Sequence, residues 1–260
     1  MTTAVSTDGT APELLGTLAA DHATGALSTE SGIFYLSAGR VIHVESPYSP
    51  DLGDLLTRSG AVAPAGWWEA VERAGARHRV GRHLVDSGRL TAGALELCHL
   101  GALFDAAYCA LAHDGAALRF RPGAAHWLGA VRPVPVAAVL RESWRRRDLL
   151  HRIWPDPAVD TAPLVRLPGA DPAELPPRRG RTLALVDGVR TAAQIASALA
   201  HRTFHTLVEL RRLAADGLIT PAPPPPAAPV GSVPEAGGAA WDDEPDTALL
   251  RRLLDALEAL

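Results

Sequence analysis

Two apolar runs joined by the dipeptide Ala38-Gly39 constrain the fold of this chain more than any other feature of its sequence. Residues 32–37 and 40–45 are rich in strand-forming side chains, and glycine supplies the positive φ that a two-residue hairpin turn requires. The pair therefore predicts an antiparallel hairpin. Residues 25–29 precede it as a third strand, and residues 118–121 alternate in polarity like a strand that returns to the same sheet.

Between these strands, residues 51–112 change to helical spacing and contain an internal repeat. Residues 52–62 are echoed by residues 80–90, an offset of 28 residues. In each copy an apolar stretch ends at a glycine, Gly60 or Gly88, and an apolar turn follows. A glycine in that place is typical of a helix C-terminus, so each copy predicts a short helix, a turn and a second helix. The segment is expected to be a helical insert in the sheet domain.

The hairpin carries a resemblance to a known family. Thr24-Gly25-Ala26-Leu27 and the run from Gly32 to His43 resemble the PATAN domain, whose pattern is Thr-Gly-x-Leu followed by Gly-x-Ile-Tyr-Phe-x-x-Gly-Arg-Ile-x-His. Residues 118–123 resemble its closing strand, so the resemblance covers residues 11–125. It implies a regulatory module that acts through protein contacts beside response regulators or small Ras-like GTPase systems. It implies no catalytic residues.

The repeat is also similar to the N-terminal domain of type II secretion ATPases, some of which bind cyclic di-GMP. Arg79, Gly81 and Gly88 match that tandem motif. Asp51 stands where the first copy of the family has an arginine, and Ala102 stands where a glutamine is expected. Both departures remove groups that would contact an anionic dinucleotide. Packing of helical hairpins is therefore the favoured interpretation, with cyclic-dinucleotide binding left open.

Downstream of the sheet domain, the sequence predicts a long, densely charged helix. It covers residues 136–154 and ends before Pro155 and Pro157. Between residues 141 and 152, five arginines face two acids, a net charge of +3. This run is either a solvated face on a helix that spans the domain or a patch that meets an acidic partner. A Pro-rich connector, residues 155–180, follows it.

Residues 181–220 have the order of a winged-helix-like module. Residues 181–186 are apolar and are expected to form a short strand. Two helices follow, the first capped by Thr191 and the second by Thr203. Gly217 is expected to end the second helix, just before an exit strand.

This module is locally basic, which raises the question of DNA binding. From residue 178 to residue 220, seven arginines face three acids, a net charge of +4. The candidate nucleic-acid contacts are Arg202, His205 and Arg212. The last helix is also expected to expose Glu209 and Asp216, however, and phosphates repel carboxylates. Protein docking or a structural homodimer is the favoured interpretation, and a DNA-binding transcriptional regulator is the alternative.

The C-terminal end carries an isolated amphipathic segment. Residues 221–246 are rich in Pro, Ala and Gly and are expected to form a linker, while residues 247–260 are predicted to be a helix. Fourteen residues are marginal for an isolated helix, so the leucine stripe is expected to fold on docking, in a partner's groove or on the chain's own modules. The predicted partner-binding residues are six leucines and an upstream tryptophan: Leu249, Leu250, Leu253, Leu254, Leu257, Leu260 and Trp241.

The sequence contains no motif typical of catalysis. Gly-x-Ser-x-Gly, a Walker loop, His-Glu-x-x-His and paired Cys-x-x-Cys do not occur. Cys109 and His113 lie one helical turn apart, but core residues surround them, and a small buried thiol beside a capping histidine is favoured over a metal pair. The ten histidines are otherwise interpreted as scattered singly. We therefore predict no enzyme activity, no cofactor and no metal site.

Composition favours the cytoplasm of a GC-rich bacterium. All 25 basic residues are arginine, and lysine and asparagine, which AT-rich codons encode, do not occur. The first residues lack the basic and apolar segments of a signal peptide, and no apolar run is long enough to span a bilayer. Two cysteines do not indicate a disulfide framework. A net charge of −4 is typical neither of a nucleic-acid coat protein nor of an acidic solvating chain.

Together these features predict an α+β protein: a small antiparallel sheet with a helical insert, then a winged-helix-like module and a C-terminal amphipathic helix. We expect a signalling adaptor that acts through protein–protein contacts. The predicted units are a PATAN-like domain, a spanning helix, a connector, a module, a linker and a final helix: residues 11–135 (insert at 51–112), 136–154, 155–180, 181–220, 221–246 and 247–260.

Overall fold

A six-stranded antiparallel sheet organises the first part of the structure, a computed structural model that describes residues 5–7, 9–112 and 118–223. Its strands are β1 (Val5–Thr7), β2 (Gly25–Thr29), β3 (Gly32–Ser37), β4 (Arg40–Glu45), β5 (Leu118–Pro122) and β6 (Val134–Pro135). They are hydrogen-bonded in the order β1-β5-β2-β3-β4-β6. The α+β fold class is thus confirmed, and so is the return of residues 118–121 to the sheet, where β5 pairs with β2.

The turn between β3 and β4 has the geometry that Ala38-Gly39 predicts. Ala38 has a φ of 47° and Gly39 a φ of 76°, both in the left-handed region that a type I′ turn requires. A Cβ at Gly39 would lie 2.5 Å from the Ala19 carbonyl oxygen, so this glycine also lets the turn approach the preceding helix. The three predicted strands that begin at residues 25, 32 and 40 are confirmed.

The helix between β1 and β2, α1 (Ala11–Ala20), begins at a capping box. The Thr10 hydroxyl accepts the Glu13 N–H, and the Glu13 carboxylate accepts the Thr10 N–H. Leu15 of this helix and Phe34 of β3 are both fully buried in the same hydrophobic cluster. The helix therefore covers one face of the sheet.

The 28-residue repeat is confirmed as two helical hairpins. Its helices are α2 (Leu52–Arg58), α3 (Pro64–Ala74), α4 (Val80–Asp86) and α5 (Ala92–Ala110). Gly60 has a φ of +74° and Gly88 a φ of +70°, so both copies stop their first helix in the same way. The hydrogen bonds after these glycines also correspond, from Val62 N–H to the carbonyl of Leu56 and from Leu90 N–H to the carbonyl of Leu84.

The rest of the described chain is mainly helical. Its helices are α6 (Val136–Ile153), α7 (Ala158–Thr161), α8 (Pro177–Ala184), α9 (Ala192–Leu199) and α10 (Thr203–Ala215). The strands β7 (Leu164–Arg166) and β8 (Ile219–Pro221) form a second, two-stranded antiparallel sheet. The long helix, the Thr191 cap of α9 and the left-handed Gly217 after α10 are confirmed.

The predicted strand over residues 181–186 is wrong, because this segment continues α8 into a turn. Pro177 starts the helix in a position where proline is favoured. Thr182, Leu183 and Val186 are buried, which is helical spacing, and a six-residue apolar run cannot be assigned by periodicity alone. The partner of the exit strand β8 is β7, which lies in the segment predicted to be a connector.

Helix α5 connects the three hydrophobic clusters of the described chain. Its Leu103 packs in the cluster under the sheet, its Leu95 in the cluster of the insert, and its Tyr108 in the cluster of the C-terminal helices. A substitution that disturbs the packing of α5 is therefore expected to affect all three clusters. Within the described ranges, no helix is both long and apolar enough to cross a membrane.

Candidate functional site

A buried arginine fixes helix α6 to the helices behind it. The Arg146 guanidinium donates to the Phe104 carbonyl at 3.1 Å and lies 3.4 Å from the Asp105 carboxylate. It also lies 4.5 Å from the centre of the Phe204 ring and donates to Glu142, one turn earlier, at 2.9 Å. A buried guanidinium is costly unless it is paired, so Arg146 must keep these contacts. They therefore fix the rotation of α6 about its axis.

Asp105 links α5 to the start of α10. Its carboxylate accepts the backbone N–H groups of Thr203, at 2.5 Å, and of Phe204, at 2.9 Å. Burial raises the pKa of Asp105, and these hydrogen bonds and the charge of Arg146 oppose that rise. The expectation that Thr203 caps this helix is wrong. Thr203 is the first helical residue, and its hydroxyl donates to the Tyr48 carbonyl at 2.9 Å.

With Arg146 turned inward, the opposite side of α6 lies in solvent. Trp144 is 50% exposed at the centre of this side. Four exposed charged residues of the same helix flank it: Arg141, Arg145, Asp148 and Arg152. We call these five residues the outer face of α6. The Arg145 guanidinium donates to Glu142 at 2.7 Å, whereas Arg141 and Arg152 have no acidic partner within the described chain.

A cavity of about 520 Å³ opens beside α5, α6, α7 and α10. Part of its lining is apolar: Tyr108, Cys109, Leu150 and Leu207. Arg211 and Asp160 line it as a pair, with two N–O contacts of 2.8 and 2.7 Å, and Arg147 lines it as well. Burial raises the pKa of the Cys109 thiol well above its ordinary value, which disfavours the thiolate.

Three histidines that are distant in the sequence come together beside β4. His43 of β4 stacks on His126, with ring centroids 3.9 Å apart, and on His99 of α5, at 5.6 Å. The His99 Nε2 donates to the Ile42 carbonyl at 2.9 Å. Burial lowers the pKa of His99 to about 4 and that of His43 well below its ordinary value. The interpretation of the histidines as scattered singly is therefore wrong for these three.

The ligand atoms of His43, Glu45 and His126 lie within 4.8 Å of one another, which makes this cluster the metal candidate among the described residues. The hydrogen bonds of His126 argue against that use. Its Nδ1 accepts the Leu128 N–H at 3.2 Å, so the proton lies on Nε2, which donates to Glu45 at 2.9 Å. A metal would need the Nε2 lone pair, and stacked rings do not direct their in-plane lone pairs at one point. The residues fit a hydrogen-bonded cluster better than a metal site.

Of the three candidate nucleic-acid contacts, Arg202 directly precedes α10, and His205 and Arg212 lie within it. The Arg202 guanidinium packs over Gly101 of α5, where a Cβ would lie 2.1 Å from it. His205 is exposed, and Arg212 is held by Glu209 at 3.2 Å. The expectation that Glu209 faces solvent is wrong. Glu209 is buried beneath the guanidinium groups of Arg212 and Arg179, which partner it.

The predicted partner-binding residues of the C-terminal segment, Trp241, Leu249, Leu250, Leu253, Leu254, Leu257 and Leu260, lie outside the described residues. The amphipathic helix and its linker stay predictions from the sequence.

The Asp105–Arg146 pair was not predicted, although the sequence contains a signal for it. Asp105 is an acidic residue in the most apolar stretch of the chain, and such a residue needs a partner when its helix is buried. The arginine-rich α6 is the nearest dense source of partners in the sequence. Which arginine turns inward, however, depends on the packing of α6 against α5 and α10.

Searches against family models, curated proteins and solved structures found no match to this chain.

Proposed function

We propose that this protein is a non-enzymatic signalling adaptor whose outer face of α6 binds an acidic surface on a partner protein. The observation that carries the proposal is the half-exposed Trp144 beside Arg141 and Arg152, neither of which has an acidic partner within the described chain. Tryptophan and arginine are the residues that most often dominate the binding energy of protein interfaces. The PATAN resemblance, with its expectation of a response regulator or small GTPase system as partner, points the same way.

The rigidity of α6 supports this use. Arg146, on the side opposite Trp144, contacts Asp105 and the Phe204 ring, so the helix cannot rotate without breaking a buried ion pair. A preorganised surface loses little conformational entropy on binding, which leaves more of the contact energy for affinity. Trp144 therefore stands on a helix that is already fixed in its binding orientation.

Several buried ionisable groups of the described chain have structural partners, which supports a non-enzymatic protein. Asp105 holds the first turn of α10, and Arg211 and Asp160 bind each other. The Cys109 thiol is buried and neutral, and His99 donates to a backbone carbonyl. None of these arrangements pairs a nucleophile with a base that could activate it.

DNA binding through α10, the alternative, has less support. Arg179 contacts both Glu209 and Asp216, and Arg212 contacts Glu209, so acids of the same unit already neutralise these guanidinium groups. Arg211 is buried against Asp160. Phosphate binding relies on cations that are free to replace counterions, and pairing lowers their number on this surface.

Site-specific photocrosslinking in the full chain tests the proposal. A photoreactive phenylalanine analogue at position 144 should crosslink to a protein with an acidic surface, and the yield should fall as salt is added, because charges on Arg141 and Arg152 steer the encounter. The matched control is the same analogue at Trp68, which is 62% exposed but lies on α3. Equal products from both positions, or crosslinks to DNA alone, would contradict the proposal.

A further inference from the structure

The cavity beside α5, α6, α7 and α10 has the dimensions of a small-molecule site. Its volume of about 520 Å³ lies within the roughly 300–1,000 Å³ of ligand pockets in proteins. Tyr108, Leu150 and Leu207 line it and belong to the hydrophobic cluster of the C-terminal helices. This part of the wall therefore favours an apolar portion of an occupant.

Two guanidinium groups line this cavity, and one of them is already fully engaged. Arg211 donates to both oxygens of Asp160 and to the carbonyls of Leu150 and Trp154. Its charge and most of its N–H groups are satisfied within the fold. Arg211 stabilises the wall of the cavity, and few of its N–H groups remain to bind a ligand.

Arg147 is the second guanidinium, and its charge is not balanced within the described chain. It donates to the Leu111 carbonyl, and no described carboxylate lies within ion-pair distance of it. A guanidinium carries five N–H donors, so most of those on Arg147 are not used by described residues. Among the described residues, the cavity thus combines an apolar part of its wall with one guanidinium that has no acidic partner.

A second polar group of the lining also lacks a partner among the described residues. The Tyr108 side chain is 7% exposed, and its hydroxyl has no hydrogen-bond partner among the described residues. Burial raises the pKa of Tyr108, and Asp160 adds to that rise, so the hydroxyl keeps its proton and can donate it. Because Tyr108 lines the cavity, an acceptor on a ligand there can take this hydrogen bond.

We propose that this cavity binds a small apolar carboxylate of the fatty-acid class. The carboxylate contacts Arg147 and the Tyr108 hydroxyl, and the hydrocarbon packs against Leu150 and Leu207. A carboxylate matches both the charge and the planar donor geometry of a guanidinium, and a single anionic head leaves the rest of the ligand apolar, as the wall requires. The proposal does not rest on the adaptor function, because it concerns a different surface of the chain.

Calorimetric titration of the full chain with dodecanoate and with dodecanol tests the proposal, since the two probes share a hydrocarbon chain and differ in charge. We expect one saturable site for dodecanoate, with a dissociation constant about tenfold or more below that of dodecanol, as charge-assisted hydrogen bonds imply. R147Q should bring dodecanoate to the affinity of dodecanol. The matched control is R145Q, which removes a charge from the exposed side of the same helix and should leave dodecanoate binding unchanged.

Equal affinity of the wild-type chain for the two probes, absence of saturable binding, or equal effects of R147Q and R145Q would each overturn the proposal. A melting curve of each variant establishes that it is folded. If R147Q does not fold, the two probes on the wild-type chain still decide the charge preference. A193W then decides the location, because Ala193 lines the cavity and a large side chain there should abolish dodecanoate binding.

Discussion

The Asp105 carboxylate accepts the N–H of Phe204 at 2.9 Å, so a side chain of α5 provides the N-cap that α10 does not find in its own sequence. The same carboxylate lies 3.4 Å from Arg146 of α6. One acidic group therefore holds three helices in register, including the helix that presents Trp144. The orientation of the outer face of α6 depends on this group.

Removal of the Asp105 carboxylate should destabilise the protein strongly. D105A leaves the Arg146 guanidinium buried without its acid and the first N–H groups of α10 without an acceptor. We expect the free energy of unfolding in urea to fall by about 3–5 kcal/mol. The control is D148A on the exposed side of α6, which should change it by less than about 0.5 kcal/mol. Similar effects of the two variants would contradict this account of the junction.

The pair of Arg211 and Asp160 should show strong coupling in a double-mutant cycle. Two N–O contacts of 2.8 and 2.7 Å join the groups, and Arg211 is buried. R211M alone leaves a partly buried carboxylate unpaired, so we expect a loss of about 3 kcal/mol in unfolding free energy. The double variant R211M/D160L should be clearly more stable than R211M. If the two losses simply add, the pair does not act as a unit.

Acid should destabilise the protein through its buried histidines. Burial lowers the pKa of His99 to about 4, whereas an unfolded histidine takes up its proton near pH 6.5. Between these values the unfolded chain binds more protons than the folded chain, so stability falls as the pH is lowered from about 6.5 to about 4.

The variant H99Q tests this dependence, because the glutamine amide can still donate to the Ile42 carbonyl but does not titrate. The fall in unfolding free energy with decreasing pH should be shallower for H99Q than for the wild-type chain, and unchanged for the exposed control H151Q. Comparison of variant with wild type removes the contributions of other groups, including Asp105. Parallel pH curves for H99Q and wild type would show that His99 does not carry the effect.

Replacement by alanine should have opposite effects on stability at Gly60 and at Gly16, because only Gly60 has a backbone conformation that favours glycine. Gly60 has a φ of +74° and Gly16 lies within α1, and a Cβ built at either position would meet no atom of another part of the described chain within 4 Å. G60A should therefore lower the unfolding free energy by about 1 kcal/mol, because alanine is strained in the left-handed region. G16A should raise it by about 0.5–1 kcal/mol, because alanine favours a helix. Thermal or urea unfolding measures both, and effects of the same sign would contradict the assigned conformations.

The parts of the fold that the sequence predicted are those set by local backbone chemistry. Ala38-Gly39 determines a turn whatever surrounds it, and Gly60 and Gly88 end their helices in the same local way. The strand predicted at residues 181–186 was wrong, because an apolar run of that length suits either a strand or a helix, and its tertiary neighbours decide.

The contacts of the candidate site depend on pairs that are distant in sequence, and local patterns do not contain them. Asp105 and Arg146 are 41 residues apart, and Asp105 and Phe204 are 99 apart. Helical spacing placed Glu209 on the exposed side of α10, but the guanidinium groups of Arg179 and Arg212 cover it. The exposure of Trp144 follows from the inward turn of Arg146, which only the packing of three helices reveals.

The most direct test of the adaptor account is the dissociation constant of the partner identified by crosslinking, measured for wild type, W144A and W68A. Trp144 and Trp68 are both largely exposed, so truncation of either should cost little folding stability. The account predicts that W144A weakens binding about tenfold or more, as expected for an interface hot spot, and that W68A leaves it unchanged. Equal affinities of W144A and wild type would contradict the claim that the outer face of α6 is the binding surface.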